Sequence, residues 1–372
     1  MPENKLSSQI ETKKNENNND NSYDRYNIQI LNNTNKDSYK TFRNNIYESH
    51  LINNDYYMPQ NNFFNSNFKI KGKWNIISLL KNNPNIISYI YIIDYLTFEE
   101  ISNMLSFLSQ NLEFFSSNAQ NYILIDKIIS LYIPNLSIKN KGKNDNLNEN
   151  IYSFLKSFFN KRISSLIYSN NNISCILNLV LKIRYPKNDF VYIEIENEFK
   201  SFAYNRQGCL LIQNLYRLGN EIQQQKLLNI ILEQYNELIL DKYGHYLFKY
   251  LLYQAENGEK YYNIIFNKII NDVKKYINNK YSSVVIERLL DSSDINIKNK
   301  IIEKICRNEN DVVELLYHAY GNYVLQKIIN VTKDNNILEL IYKTIMKNKN
   351  ALLKLSYGKK IMKEISAIYT LK

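Results

Sequence analysis

The sequence predicts an all-α, helical-repeat solenoid, and three observations carry that prediction. Five near-copies of one phrase, NRQGCLLIQNL, DKYGHYLFKYL, NKYSSVVIERL, HAYGNYVLQKI and LSYGKKIMKEI, align on Cys209, His245, Ser283, Asn322 and Lys359 at steps of 36, 38, 39 and 37 residues. Four of the chain's eight glycines (Gly208, Gly244, Gly321 and Gly358) precede those register residues, and Ser282 takes the slot in the remaining copy. Ahead of every phrase runs a long segment with apolar residues at helical spacing, such as EIQQQKLLNIILEQYNELIL. A period in this range, with two helix-length stretches per unit, means helix, turn, helix, each unit packing only on its neighbours.

Taken in order, residues 1–66 are Asn-rich and polar, have too little contiguous apolar surface to offset ordering entropy, and are expected to be disordered. The helical period begins at about Phe68, and residues 67–372 form the repeat domain. Residues 67–184 carry degenerate repeats: a unit is placed around KGKWNIISLLK (71–81), AQNYILIDKII puts Asn121 in register, and NISCILNLVLKI puts Ser174 in register. The 53-residue step between those two contains NLSIKNKGKNDNLNEN (135–150), expected to be a loop inserted between repeats. Clear repeats cover 185–332, and 333–372 form a C-terminal cap. The glycine ahead of each register residue is expected to serve a tight reversal between packed helices, with left-handed dihedrals.

Composition excludes several function classes. The net charge of +11 points first to polyanionic partners. Three cysteines (Cys175, Cys209, Cys306) form no CxxC and have no His at ligand spacing, so neither a disulfide framework nor a metal site is expected, and a reducing compartment fits. The apolar run IISYIYIIDYL (86–96) is too short to span a bilayer and contains Asp94, while the N-terminus has no apolar signal core. A soluble, intracellular monomer with no membrane contact is expected. No catalytic constellation is present: His50 lies in the polar N-terminal segment, His318 ends a first helix, and Cys209 has no His at hand to activate it. The chain is expected to be no enzyme and to need no cofactor.

Within the second helix of a unit, the register residue and the one four later lie on one face, a turn apart, and the residue after the register position flanks them. The resulting triplets are Ser174/Cys175/Asn178, Cys209/Leu210/Gln213, His245/Tyr246/Lys249, Ser283/Val284/Glu287 and Asn322/Tyr323/Gln326. Asn121/Tyr122/Ile125 is a weaker version, since Ile125 offers no polar contact. Two hydrogen-bonding groups a turn apart can grip a base edge while the flank stacks on its face, and repetition makes a ladder that takes one base per unit. A carboxylate such as Glu287 repels phosphate yet accepts from the N1–H and N2–H₂ of guanine. Lys249 only donates and cannot take a uracil N3–H, although His245 could in one tautomer.

The phrase HAYGNYVLQKIINVT resembles the Puf (Pumilio-homology) repeat of RNA-binding proteins, the other phrases resemble its successive repeats, and LSYGKKIMKEISAIY resembles the family's C-terminal capping unit. The resemblance implies a right-handed crescent of helical repeats that binds single-stranded RNA antiparallel to the protein. It further implies that Asn322/Gln326 take U, Ser283/Glu287 take G, His245/Lys249 take a third base and Cys209/Gln213 take A. That spells UGNA, against the UGUA core that the family prefers. Such a protein would act in the cytoplasm on messenger 3′ untranslated regions, repressing translation or promoting decay through recruited proteins. Two alternatives stand beside it: a nucleolar Puf-like ribosome-assembly factor with little base preference, and a protein-binding scaffold of HEAT or armadillo type.

Overall fold

The computed structural model describes residues 69–70, 73–74, 93, 96–111, 121–132, 145–160, 162–164, 173–254, 260–292 and 294–370. The chain divides into two units, Met1–Gly72 and Lys73–Lys372. The described residues of the first are a short strand, β1 (Lys69–Ile70). The described residues of the second open on another, β2 (Lys73–Trp74), and the other elements among them are helices. A helical unit at 71–81 is therefore corrected at its start, where the backbone is extended; residues 75–81 lie outside the described residues, as does the 1–66 segment.

Among the described residues of the degenerate half there are four helices: α1 (Phe98–Gln110), α2 (Asn121–Tyr132), α3 (Asp145–Phe159) and α4 (Ile173–Lys182). Thr97 caps α1 through a reciprocal box with Glu100, the hydroxyl accepting from the Glu100 amide and the carboxylate from the Thr97 amide. The inserted loop is corrected in its second half, because Asp145–Asn150 already belong to α3. The apolar stripe of Ile151, Phe154, Leu155, Phe158 and Phe159 is buried, and the helix extends one polar turn ahead of it. Asn150 Nδ2 donates to Ser102 Oγ of α1 at 3.2 Å.

The clear repeats hold three helices each rather than two. They are α5 (Asp189–Asn197), α6 (Phe199–Ala203) and α7 (Arg206–Leu218); then α8 (Glu221–Glu233), α9 (Tyr235–Leu238) and α10 (His245–Gln254). Next come α11 (Lys260–Ile269), a 3₁₀ turn (Ile270–Asp272), α12 (Val273–Ile277) and α13 (Ser282–Leu289). The series ends with α14 (Ile295–Ile305), α15 (Glu309–Tyr317) and α16 (Gly321–Val331), then α17 (Asn335–Lys347), α18 (Lys349–Leu352) and α19 (Gly358–Thr370). The long first segment breaks at Glu198, Gln234, Asp272 and Asn348, with φ between −114° and −98° and ψ between 6° and 26°. These sparsely occupied bridge dihedrals recur 11 residues ahead of the register residue each time (209−198, 245−234, 283−272, 359−348). In the Asn322 unit a longer interruption, closed by the Asn308 cap, takes their place.

The register helices pack one on the next, α2 on α4, then α7, α10, α13, α16 and α19, which is the continuous stack of a solenoid. Their inward positions are Ile, Leu, Val and Phe at near-zero exposure, and each such side chain contributes about 1.5–3 kcal/mol by leaving water. Polar ties one period apart stitch the short helices: Lys200 and Tyr204 to Glu237, Tyr276 to Asn236, Lys274 to Asp311, and Asn278 to Glu314.

Candidate nucleic-acid interface

Four register helices, α7, α10, α13 and α16, start the same way. The residue four before the register position accepts from the next amides: Asn205 Oδ1 from Gln207 and Gly208, Asp241 Oδ1 from Tyr243 and Gly244, Asn279 Oδ1 from Tyr281 and Ser282, and His318 Nδ1 from Tyr320 and Gly321. This turn pins the register residue at the head of its helix.

The glycine slot is explained by crowding, and the expected left-handed backbone is corrected. A Cβ on Gly208 would sit 2.2 Å from the Phe202 carbonyl oxygen, on Gly244 2.7 Å from that of Leu238, and on Gly358 1.8 Å from that of Leu352. In the copy without glycine, Ser282 Oγ donates to the equivalent carbonyl, Tyr276, at 2.6 Å. In these four units the slot takes either no side chain or one that bonds the oxygen it meets, whereas a Cβ on Gly321 would meet His318 Cβ and Leu315 Cδ2 at 3.2 Å.

In the Asn322 unit the pair is preorganised. Asn322 is fully buried and its Nδ2 donates to the His318 and Ala319 carbonyls, while Gln326 Nε2 donates to Asn322 Oδ1 at 3.0 Å. Gln326 Oε1 is left buried with no partner, a costly state unless something supplies a donor. Tyr323 is 47% exposed, a flat side chain beside the pair. One unit earlier, Ser283 is buried with Oγ donating to the Lys280 carbonyl, and Glu287 is half-buried. Burial pushes the Glu287 carboxyl above its usual range, Lys327 and Lys249 pull it back, Asp291 raises it and Lys360 lowers it. Lys327 is itself ion-paired with Asp291. A carboxylate thus stands among lysines of the units on either side.

His245 is buried, and its Nδ1 lies 2.9 Å from the Asp241 carbonyl, which can only accept; Nδ1 therefore carries the proton, and Nε2 of the neutral ring is an acceptor. The ring stacks on Tyr281 of the next unit at 5.4 Å and 25°. Tyr246, read as an open stacking flank, is 8% exposed and tilted against His245 at 4.0 Å, with Lys249 Nζ above it. Cys209 is buried, its thiol donating to the Tyr243 carbonyl and accepting from Gln213 Nε2. Leu210 and Val284 are half-exposed flanks.

The Ser174 triplet is corrected. Asn178 is buried with Nδ2 donating to Asp126 Oδ1 and Ser130 Oγ of α2, so its amide is spent between helices. Cys175 is core, its thiol pushed well up by burial and then by Asp126. The first exposed residue after the buried run falls eight past the register at Arg217, Asp291 and Asn330, but at Leu181 it falls seven past Ser174. The side chains of Ser174, Asn121 and Tyr122 lie outside the described residues, and Ile125 is buried.

Among the described residues, no three His, Cys, Asp or Glu side chains gather as metal ligands would, and no helix is long and apolar enough to cross a membrane. The NOP9-like PUF repeat domain matches residues 140–317, and the Pumilio-family RNA binding repeat matches residues 311–343. The chain belongs to the Puf family. It is 28% identical over 167 residues to Pumilio homology domain family member 4 of Saccharomyces cerevisiae, covering 43% of this chain and 18% of that one. It is 26% identical over 165 residues to Pumilio homolog 12 of Arabidopsis thaliana, covering 44% and 27%. These matches span under a third of either relative's length. In fold, the chain is similar to a Puf4 mutant bound to a Cox17 RNA 3′ UTR recognition sequence, with TM-score 0.62, 19% identity, and coverage of 78% of this chain and 94% of that one. It is also similar to the RNA-binding domain of yeast Puf5p bound to AAT2 RNA, with TM-score 0.59, 23% identity, and 75% and 82% coverage. The Puf repeats are therefore helical units stacked as a solenoid, with the register helices adjacent along one side.

Proposed function

We propose that this Puf protein binds single-stranded RNA along its register helices and reads a UGUA-like element with the last four full repeats. The observation that carries this is the Gln326 carboxamide: its orphaned Oε1 and its second amide hydrogen complement the N3–H and an adjacent carbonyl of uracil. Glu287 supplies the acceptor pair for guanine N1–H and N2–H₂, and His245 Nε2 offers an acceptor to a third base, as uracil N3–H requires. Cys209 and Gln213 face the last base of the core. By this reading the protein acts in the cytoplasm on messenger 3′ untranslated regions, and recruited proteins carry out repression or decay.

The test is a titration of short single-stranded RNA containing UGUA, against the same RNA with G changed to A. Loss of a good base contact costs about 1–3 kcal/mol, and Glu287→Gln should erase the difference. A second reading, a nucleolar role in ribosome assembly with little base preference, is favoured by the NOP9-like match and by Asn178 being spent inside the fold. Equal binding of both RNAs, falling steeply with salt, would select it.

A further inference from the structure

The last unit differs from the others at the three positions that elsewhere hold the gripping pair and its flank. There it carries Lys359, Lys360 and Lys363, all exposed, at the head of α19. Nothing in the fold calls for cations there. The first turn of α19 has no acidic residue, and positive charge at a helix N-terminus opposes the helix dipole. Lys360 Nζ lies 3.8 Å from Glu364 Oε1, a distance that neutralises it only in part.

The three lysines also continue the reading face. Helix α19 packs on α16 as α16 packs on α13, so the lysine positions follow Asn322/Gln326 and Ser283/Glu287 in one row. The charge of Lys360 is felt at Glu287, two units away, together with those of Lys327 and Lys249. An ammonium is a compact donor with no acceptor; it suits a phosphate oxygen and cannot take the N–H of a base.

We propose that the last unit reads no base and instead holds the backbone phosphates immediately 5′ of the UGUA-like core, so that full affinity requires RNA extending upstream of the first uracil. This rests on the reading face proposed above, with RNA running antiparallel so that its 5′ side meets α19. The device adds binding without adding sequence, and it would favour sites inside a transcript over sites at a free 5′ hydroxyl end.

The experiment uses the full chain and three oligonucleotides: UGUA with an oligo(A) tail starting at a 5′ hydroxyl, and the same RNA with a short 5′ extension of either A or C. Extension should tighten binding roughly three- to tenfold, as expected of a few exposed charge contacts, and equally for A and C. The combined Lys359→Ala, Lys360→Ala and Lys363→Ala variant should lose that gain while keeping the G-over-A preference. Its slope of log affinity against log salt on extended RNA should be shallower by about 0.7 for each lost phosphate contact. Replacing all three by Arg should restore the gain, which separates charge from any effect on folding. An extension that adds nothing, or adds only for one base, overturns the clamp while G preference keeps the reading face. Loss of G preference with the extension gain intact overturns the reading face and leaves a phosphate-binding end.

Discussion

Asn178 in α4 and Gln326 in α16 were both expected to meet a base. The first turns sideways and bonds Asp126 and Ser130 of the preceding register helix; the second bonds Asn322 within its own helix and keeps an acceptor unspent. What separates them is the neighbour. In α16 the residue four earlier is an amide that holds Gln326 in place, whereas α4 has polar side chains waiting on α2. The same helical slot is thus bonded to the adjacent unit in α4 and within its own helix in α16.

Four changes would break or sharpen that contrast. The largest effect is expected in the clear repeats, where Gly208→Ala drives a methyl into the Phe202 backbone and should cost about 3 kcal/mol, lowering the denaturation midpoint. Gly321→Ala meets side-chain carbons at 3.2 Å and should stay within about 0.5 kcal/mol. Next, Gln326→Ala should weaken binding by about 1–3 kcal/mol, and only for RNA carrying U at the first core position. Asn178→Ala should instead cost about 1–2 kcal/mol of stability and leave base preference untouched; a changed preference would return α4 to the reading face.

Glu287 supplies a pH test of the same contrast. Its carboxyl titrates above the usual range because burial disfavours the charge, so its ionised form costs the free fold stability as pH rises through that value. The proposed contact with guanine N1–H and N2–H₂ needs the ionised form. Preference for G over A should therefore fade as pH falls through the raised value, sooner than an ordinary glutamate would allow. Glu287→Gln should leave thermal stability at neutral pH equal or higher while abolishing the preference. Smallest of all, Lys347→Ala removes an exposed pair with Glu309 and should change stability by about 0.3 kcal/mol.

The stack of register helices was legible because Gly or Ser, a polar pair and apolar spacing coincide five times. The cap four residues before the register was equally visible as Asn205, Asp241, Asn279 and His318 and was missed, since His is not a usual cap. The three-helix unit was not legible: no Pro or Gly marks Glu198, Gln234, Asp272 or Asn348, and the break comes from packing rather than local preference. The bonding of Asn178 to α2 was hidden for another reason: its partners, Asp126 and Ser130, lie 52 and 48 residues away in the sequence.

The break at a constant 11 residues before the register also divides four of the five units into a fixed part and an adjustable one. From the break to the register residue the spacing is constant in those units, so the difference between their 36- and 38-residue steps is absorbed elsewhere in the unit. Glu198, Gln234, Asp272 and Asn348 are therefore natural splice points. A segment exchanged from Glu198 to Gln234, or from Gln234 to Asp272, would transplant a register helix with its short supporting helix, cap and close backbone contact intact.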